Sequence, residues 1–336
     1  KGKFEKPTEL ISPRITPSSG IRLVKYYSNR RNAEGLNYSM ASLLDGTVHL
    51  SLPEQFNDPF DCLPSFDRKR AYITIAQRFI DTFDLKIKAE AEVDVDNAIA
   101  NALNSKTTED LPHLPHVGDA SPAFEPLLTY QRMYLYSYRK GSFNTDAVHD
   151  ALASEVDSTG ALLRNCRVAC FTDNPVNMYM WAHYAADHTG FCVEYDLPTV
   201  QLDESGKPGD WDARLLSNIY GVFYHMRRPD CTDLLLSIPS QGCDLEGASS
   251  SIAKLLCSKG FDWAFERERR LIVFNRTIPD NVRFFPIKRV YLGARMPNND
   301  KEEIAKALEG RKVEILSMDL SDSLYSLVPN KYEPGK

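Results

Sequence analysis

Short strand-like segments recur along this chain without a regular alternation of strand and helix. Each is an apolar or aromatic run of strand length, and turn-forming residues separate it from the next run. A doubly wound sheet needs a helix between successive parallel strands, so the pattern favours the α+β class with a bent, largely antiparallel sheet. The predicted strands are Ile21–Tyr27, Val48–Leu52, Arg167–Phe171, Phe191–Tyr195, Ile219–Tyr224, Trp263–Phe274, Arg289–Leu292 and Val313–Leu316.

One long interval of the chain has helical character instead. Residues Arg70–Leu103 show helical periodicity with few glycines, and Leu127–Lys140 and Thr145–Leu163 also predict helices. An interval of roughly a hundred residues is large enough to form a subdomain of its own. We therefore expect residues 67–163 to form a helical insertion.

The rest of the chain is expected to form one α+β core from residues 21–66 and 164–336. Residues 1–20, which are rich in Lys, Pro and Ser, are expected to be a flexible lead-in. Short helices are predicted within the core: Asn37–Leu44, a helix that the pair Asn174–Pro175 opens and that carries Met180–Ala186, Leu245–Ser258 capped by Gly260, and Lys301–Leu308.

Composition disfavours several classes of protein. The 336 residues are 43% apolar with a net charge of −6, so the chain can bury a core but does not have a strongly basic nucleic-acid footprint. No apolar run reaches the roughly 18 residues that a membrane span requires. The seven cysteines include no C-x-x-C pair, which disfavours structural zinc and favours buried free thiols in a reducing cytoplasm.

Four blocks combine aromatic with ionisable side chains. Side chains with apolar bodies and polar tips line concave binding sites more often than they cover an ordinary surface. The blocks lie far apart in the sequence, so only folding can bring them together, and we predict that they converge on one cleft. They are Lys25–Tyr27, Phe56–Asp61, Met180–Tyr184 with Asp187 and His188, and Trp263–Arg270.

The block Trp263–Arg270 contains the largest group of candidate catalytic side chains. On a strand Glu266, Glu268 and Arg270 would share one face, since residues two apart project together. Two adjacent carboxylates repel, so one is expected to have a raised pKa while Arg270 favours the ionised form of the other. Such a cluster suits acid–base catalysis or stabilisation of a cationic transition state. The alternative is a solvated strand face with ion pairs.

The two middle blocks have equally open interpretations. On a helix His183 and Asp187 would face the same way, which is the arrangement of a general base oriented by a carboxylate. A hydrogen-bonded core histidine is the alternative. In the loop, Asn57 and Asp58 precede a proline and predict either a ligand-binding carboxylate or an Asx turn held by the flanking phenylalanines. Neither a phosphate-binding glycine loop nor a Gly-x-Ser-x-Gly motif occurs.

Together the blocks resemble an uncharacterised bacterial domain family that is often met near phage-defence genes. Its pattern is a first-strand Lys-Tyr, a Phe-Asn-Asp-Pro-Phe-Asp loop, a Met-Trp-x-His-Tyr stretch and a Trp-x-Phe-Glu-x-Glu-x-Arg segment. The corresponding residues here are Lys25–Tyr26, Ser51–Asp61, Cys170–Thr172 with Met180–Asp196, and Lys259–Arg270. The resemblance covers most of the chain outside residues 1–20 and the predicted insertion.

More distantly, the order of the blocks resembles ADP-ribosyltransferase folds. Those folds place a basic residue on an early strand, a Ser/Thr-bearing strand in the middle and a Glu-x-Glu late in the chain. Here the positions are Lys25 (or Arg22), Phe171–Thr172 and Glu266–Glu268. The sequence departs from the pattern in having Lys where Arg or His is usual, and in lacking a Ser-Thr-Ser motif.

This second resemblance implies a nucleotide-using transferase with NAD as its substrate, and a bacterial toxin or defence effector as its setting. It implies that Glu268 holds the nicotinamide ribose and steadies an oxocarbenium-like transition state, while Glu266 positions a protein or nucleic-acid acceptor. Tyr184 and Tyr26 would stack on nicotinamide, with Lys25 near the pyrophosphate. The other candidates are His183 as a catalytic residue and Thr172, Asn57, Asp58 and Arg270 as cofactor contacts, with no bound metal.

Two other functions stay open at this point. Asp58, Asp61, Glu266 and Glu268 could together hold Mg²⁺ in a metal-dependent nuclease or phosphodiesterase. The pocket could also belong to a non-catalytic nucleotide-sensing domain of a defence system. Dependence on magnesium would separate the nuclease from the transferase, and binding without turnover would indicate the sensor.

Overall fold

The fold is described from a computed structural model. Helices and mostly antiparallel strands both contribute to it, which confirms the predicted α+β class. The structure describes residues 22–105, 144–164, 166–197, 215–216, 218–237, 252–253, 255–274 and 277–335.

An eight-stranded sheet forms the centre of the molecule. Every neighbouring pair of its strands is antiparallel except β10 and β11, which are parallel. Across the sheet the order is β12 (Leu327–Lys331), β11 (Glu314–Leu320), β10 (Ile287–Leu292), β4 (Phe191–Tyr195), β1 (Val24–Tyr27), β3 (Arg167–Thr172), β8 (Glu268–Val273) and β5 (Ile219–Gly221).

Two small ladders and seven α-helices of at least six residues accompany the sheet in the described part of the fold. Strands β2 (Thr47–His49) and β9 (Asn281–Arg283) pair antiparallel, while β6 (Phe223–His225) and β7 (Ser258–Gly260) pair parallel. The helices are α1 (Tyr38–Asp45), α2 (Arg68–Thr82), α3 (Glu92–Asn104), α4 (Thr145–Ala161), α5 (Met178–Tyr184), α6 (Thr232–Ser237) and α7 (Asn298–Ala307). Among the described residues no helix is both long and apolar enough to cross a membrane.

The interval predicted to be helical contains α2, α3 and α4, and its described residues include no strand of the sheet. The three helices enclose an apolar core, to which Ile75, Ile99 and Leu152 contribute buried side chains and α6 adds Leu236. The predicted helix at 127–140 lies outside the described residues. Helix α2 also packs against α6, so this helical layer lies beside the α+β core.

A carboxyl on α4 makes the stability of this helical layer depend on pH. Burial raises the pKa of Glu155 from 4.5 to about 7, and the nearby charge of Arg78 offsets only part of that increase. A raised folded-state pKa means that stability is greatest below the unfolded pKa and is lost as the pH rises through the folded value.

We therefore expect Glu155→Gln to raise the free energy of unfolding at pH 8 by at most roughly 3 kcal/mol. The gain should disappear below pH 4.5, where the wild-type carboxyl is protonated in both states. Urea denaturation at pH 4 and pH 8 measures it, with Glu90→Gln on an exposed loop as the control. A difference in stability between Glu155→Gln and the wild type that is the same at pH 4 and pH 8 would contradict the prediction.

The predicted strand Trp263–Phe274 is wrong over its first half. Residues Phe261–Glu266 form a 3-10 helix, and the strand begins only at Glu268. Between them Arg267 adopts a left-handed conformation with φ 49°. Glu266 and Glu268 therefore do not share a strand face, although Glu268 and Arg270 do.

The helix predicted from Asn174–Pro175 begins later and ends earlier than expected. Its N-cap is Asn177, whose Oδ1 accepts from the backbone N–H of Tyr179 at 3.0 Å. Asn174 instead closes an Asx turn by accepting from the N–H of Val176 at 3.0 Å. The helix ends at Tyr184, before the predicted Ala186.

Three smaller differences concern Gly260, the predicted strand Ile219–Tyr224 and the edge strand β12. Gly260 is the last residue of β7 and the N-cap of the 3-10 helix that follows, whereas it was predicted to end the preceding helix, which lies partly outside the described residues. The predicted strand Ile219–Tyr224 is divided at Val222 into β5 and β6. The edge strand β12 was not predicted, because Pro329 reads as a strand breaker yet lies on an edge where its missing N–H is tolerated.

Candidate functional site

A cavity of about 380 Å³ lies where β1, β3 and β8 meet the loop after β2, helix α5 and the 3-10 turn before β8. Its size is in the range of small-molecule sites. All four aromatic and ionisable blocks contribute to its lining. The lining residues are Val24, Lys25, Tyr26, Ser51, Gln55, Phe56, Asn57, Asp61, Val168, Cys170, Phe171, Thr172, Met180, His183, Tyr184, Lys259, Glu266 and Glu268.

The cavity lies at a split in the sheet. Strand β3 pairs with β1 at Thr172 alone, and four residues earlier Val168 pairs with Ser51 through backbone hydrogen bonds of 2.8 and 2.9 Å. Between these two points the carbonyl oxygen of Cys170 accepts from the Lys25 Nζ at 3.0 Å. A lysine side chain thus occupies the place where a strand neighbour would pair.

Five buried charged side chains form an ionic cluster at one wall of the cavity: Asp61, Lys259, Glu266, Glu268 and Arg270. Lys259 Nζ lies 2.5 Å from Glu266, 3.1 Å from Glu268 and 3.3 Å from Asp61. Arg270 binds both oxygens of Glu268 at 2.8 and 2.9 Å and also donates to Asp61 at 2.9 Å. Three carboxylates against two cations give the ionic cluster a formal charge of −1.

The local backbone explains why Glu266 and Glu268 meet at one lysine. The 3-10 turn ends at Glu266, the strand starts at Glu268, and Arg267 between them has a positive φ of 49°. A left-handed conformation costs a residue with a Cβ roughly 1–2 kcal/mol. The cost is offset by the ionic contacts that the turn permits, and strain of this kind is typical of functional sites.

The two glutamates have opposite pKa shifts. Burial would raise the pKa of Glu268, but the charges of Arg270 and Lys259 outweigh it and lower the pKa to about 2. The pKa of Glu266 is raised, first by burial and then by the charge of Glu268. The cavity therefore contains one carboxylate, Glu268, that stays ionised and a second carboxyl, Glu266, that binds a proton more readily. In active sites two such carboxyls can divide electrostatic stabilisation and acid–base catalysis between them.

Tyr184 connects helix α5 to the ionic cluster. Its hydroxyl donates to Glu266 Oε1 at 2.5 Å and accepts from Asn57 Nδ2 at 3.3 Å. Burial and the charge of Glu266 raise the pKa of Tyr184, so the hydroxyl stays protonated. The helix is held in place from its N-cap, because Asn177 Nδ2 donates to the carbonyl of Phe265 at 2.5 Å.

We expect Tyr184→Phe to raise the pKa of Glu266 further, because the hydroxyl that stabilises the ionised carboxylate is lost. The loss of a buried hydrogen bond should lower the free energy of unfolding by about 1 kcal/mol. Carboxyl-carbon NMR titration of Glu266 measures the first effect. Tyr179→Phe, an exposed tyrosine on the same helix, is the control, and an unchanged titration in Tyr184→Phe would refute the contact.

The remaining predicted site residues occupy different places. Tyr26 and Thr172 line the cavity, with the Tyr26 hydroxyl donating to the carbonyl of Asn174 at 2.8 Å. His183 lines the cavity but is exposed, with its ring 6.2 Å from that of Phe265. Arg270 lies behind Glu268 and is fully buried.

Asp58 is buried outside the cavity lining. Its Oδ1 accepts from the backbone N–H of Phe60 at 2.9 Å, which is the Asx turn considered as the alternative for this loop. Asp61, three residues later in the same loop, contributes its own carboxylate to the ionic cluster.

The predicted pairing of His183 with Asp187 is wrong. The helix ends at Tyr184, and Ala186, Asp187 and His188 all have positive φ, between 48° and 71°. This left-handed turn leads to Gly190, where a Cβ would lie 2.1 Å from the carbonyl oxygen of Tyr27. Since the helical spacing stops before Asp187, neither His183 with Asp187 nor Tyr184 with His188 forms a helical pair.

Sequence reasoning gave no role to Lys259 or Tyr224. Lys259 is the centre of the ionic cluster, and the Tyr224 hydroxyl accepts from the backbone N–H of Glu268 at 2.8 Å. The available signal was a lysine seven residues before Glu266 and within the matched block. It could not show which carboxylates would surround that lysine.

The carboxylates do not form a metal-binding arrangement. Within the described parts of the chain no group of three or more His, Cys, Asp or Glu side chains is placed to hold a metal ion. The ammonium of Lys259 lies among Asp61, Glu266 and Glu268 at the place where a cation would be bound. Asp58, the fourth carboxylate of the nuclease interpretation, accepts a hydrogen bond from the backbone N–H of Phe60 within its own Asx turn.

Comparison with known proteins adds no relative. No protein-family model matches the chain, and searches of curated proteins and of solved structures find no match. The resemblance of the four blocks to an uncharacterised bacterial family, and of their order to ADP-ribosyltransferases, stays a prediction. Function therefore has to be argued from the chemistry of the cavity.

Proposed function

We propose that the cavity is the active site of a nucleotide-using transferase of the ADP-ribosyltransferase type, with NAD as the donor substrate. The observation that carries the proposal is the pair Glu266 and Glu268, which share one cavity wall but have opposite pKa shifts. Aromatic side chains around them provide faces on which a nicotinamide ring can stack. The acceptor would be a protein or a nucleic acid.

The chemistry requires a fixed negative charge and a base. When the bond between the ribose and nicotinamide breaks, its electron pair leaves with neutral nicotinamide, and positive charge develops on the ribose. The ionised Glu268 would stabilise that charge, because a preorganised charge is most effective in a site that excludes water. The acceptor then forms the new bond to the ribose carbon, and its proton passes to Glu266, whose raised pKa makes it the stronger base.

The arrangement of strands supports the same proposal. Lys25, Thr172 and Glu268 lie on β1, β3 and β8, which are adjacent in the sheet and occur in the order that the transferase resemblance implies. The surplus negative charge of the ionic cluster also favours a ligand with a cationic part, such as the pyridinium ring of NAD. A toxin or defence effector is the biological role that we propose with this activity.

Incubation of the full chain with NAD tests the proposal, with nicotinamide release as the measurement. The reaction is run once with EDTA and once with added Mg²⁺. We expect the same rate of nicotinamide release with EDTA as with added Mg²⁺. Hydrolysis of nucleic acid that occurs only with Mg²⁺ would favour the nuclease, and NAD binding without nicotinamide release would favour the sensing domain.

A further inference from the structure

Two lysines line the same cavity in opposite environments. Lys259 is paired with three carboxylates, and these charges raise its pKa although burial alone would lower it. Lys25 forms no ion pair with a carboxylate among the residues that the structure describes. Its Nζ rests on the Cys170 carbonyl at 3.0 Å and lies 5.4 Å from the ring centroid of Phe171.

The environment of Lys25 disfavours a charged ammonium. Burial lowers its pKa, more than the charges of Cys170 and Glu268 raise it. A neutral amine has a free electron pair, and desolvated lysines are the usual nucleophiles toward carbonyl carbons. A neutral Lys25 would bind a pyrophosphate poorly, so this role replaces the phosphate contact that the transferase resemblance implies for it.

We propose that Lys25 is a nucleophilic amine that forms a reversible imine with a small, uncharged hydroxy-aldehyde bound in the cavity. The geometry carries this: the amine lines a cavity of about 380 Å³ and lacks a described carboxylate partner, while the ionic cluster offers acceptors for hydroxyl groups. A small anionic aldehyde would bring its charge close to the surplus negative charge of that cluster, whereas the larger NAD can place its cationic ring there and its phosphates further away. An open-chain sugar is the class of ligand that fits.

The step is balanced without any further reactant. The nitrogen electron pair adds to the carbonyl carbon, and one N–H proton moves to the carbonyl oxygen to give a carbinolamine. Loss of the hydroxyl with the second N–H proton releases water and leaves the C=N bond. Addition of water to that bond reverses the sequence and regenerates the amine and the aldehyde.

Reductive trapping tests the proposal. The full chain is incubated at pH 7.5 with glycolaldehyde, a small neutral hydroxy-aldehyde, and sodium cyanoborohydride. The rate of modification at each lysine is then measured by peptide mass spectrometry. We expect Lys25 to be modified faster than the exposed Lys69, because the neutral fraction of an amine at pH 7.5 rises as its pKa falls. Lys259 in the same cavity should be nearly unmodified.

Two variants sharpen the result. Lys25→Met should lose the fast site, while Lys69→Met should keep it. If Lys25→Met does not fold, the rate ratio between Lys25 and Lys69 within the wild-type protein decides the question by itself. Modification of Lys25 at or below the rate of Lys69, in protein that circular dichroism shows to be folded, overturns the proposal. Since no NAD is present, neither outcome depends on transferase activity.

Discussion

Replacing Arg270 with methionine is expected to lower the free energy of unfolding by about 3–5 kcal/mol. The guanidinium is completely buried and binds Glu268 and Asp61, and it also donates to the backbone carbonyl of Leu256 at 2.5 Å. Without it three buried carboxylates would face the single cation Lys259. Urea denaturation of the wild type and Arg270→Met measures the loss.

Arg31→Met is the matched control for this prediction. Arg31 binds Glu303 at 2.9 Å, but both side chains are at least half exposed. An exposed pair of this kind contributes about 0–1 kcal/mol, because solvent screens the charges and the side chains lose entropy on pairing. If Arg270→Met and Arg31→Met had the same small effect, the ionic cluster would not be the buried network described above.

Glu268→Gln is expected to lower the turnover of NAD by about 10²–10³ while the protein stays folded. The variant loses the fixed charge that faces the developing cation in the proposed mechanism, although the shape of the side chain is nearly unchanged. Stability should suffer less than in Arg270→Met. The two remaining carboxylates then balance Lys259 and Arg270, and the amide oxygen can still accept from Arg270.

Two further glutamate variants separate the roles. Glu266→Gln should impair transfer to the acceptor more than cleavage of NAD, because in the proposed mechanism the Glu266 carboxylate takes the proton of the acceptor. Glu303→Gln, on the exposed face of α7, should change neither. Steady-state nicotinamide release measures cleavage in all three variants, and covalent incorporation of labelled ADP-ribose into the acceptor measures transfer. Equal turnover in the wild type and Glu268→Gln would show that Glu268 only pairs with Arg270 and Lys259.

The sequence predicts the strands of the sheet better than the turns that form the site. Segments such as Phe191–Tyr195 and Arg167–Phe171 are short apolar runs in the centre of the sheet, where burial on both faces leaves little ambiguity. The left-handed Arg267 has no comparable signal, because glycine and asparagine are the residues that usually mark this conformation. A continuous strand was therefore predicted across it.

The end of helix α5 was missed for a related reason. Tyr184 is followed by Ala186 and Asp187, which are ordinary residues for a helix, and the stop at Gly190 lies further on. The turn is held by backbone packing against β1, at the close approach of Gly190 to Tyr27. Contacts between segments distant in sequence cannot be read from local periodicity.

Convergence of the four blocks was predictable, but its electrostatic detail was not. Aromatic rings next to ionisable groups predict a shared concave site, and the cavity lining contains residues of every block. Which cation each carboxylate binds depends on distances that only the fold determines. The position of Lys259 among three carboxylates is the clearest example, since the sequence also allowed a Mg²⁺ site at Asp61, Glu266 and Glu268 as an alternative.

A crystal structure of Glu268→Gln soaked with NAD tests the central proposal most directly. The slow variant should retain the unreacted nucleotide, so that the bound donor can be seen. We predict density for the nicotinamide ring between Tyr184 and residue 268, with its ribose facing the ionic cluster. An empty cavity at saturating NAD, or a nucleotide bound elsewhere on the protein, would contradict the assignment of this cavity as the active site.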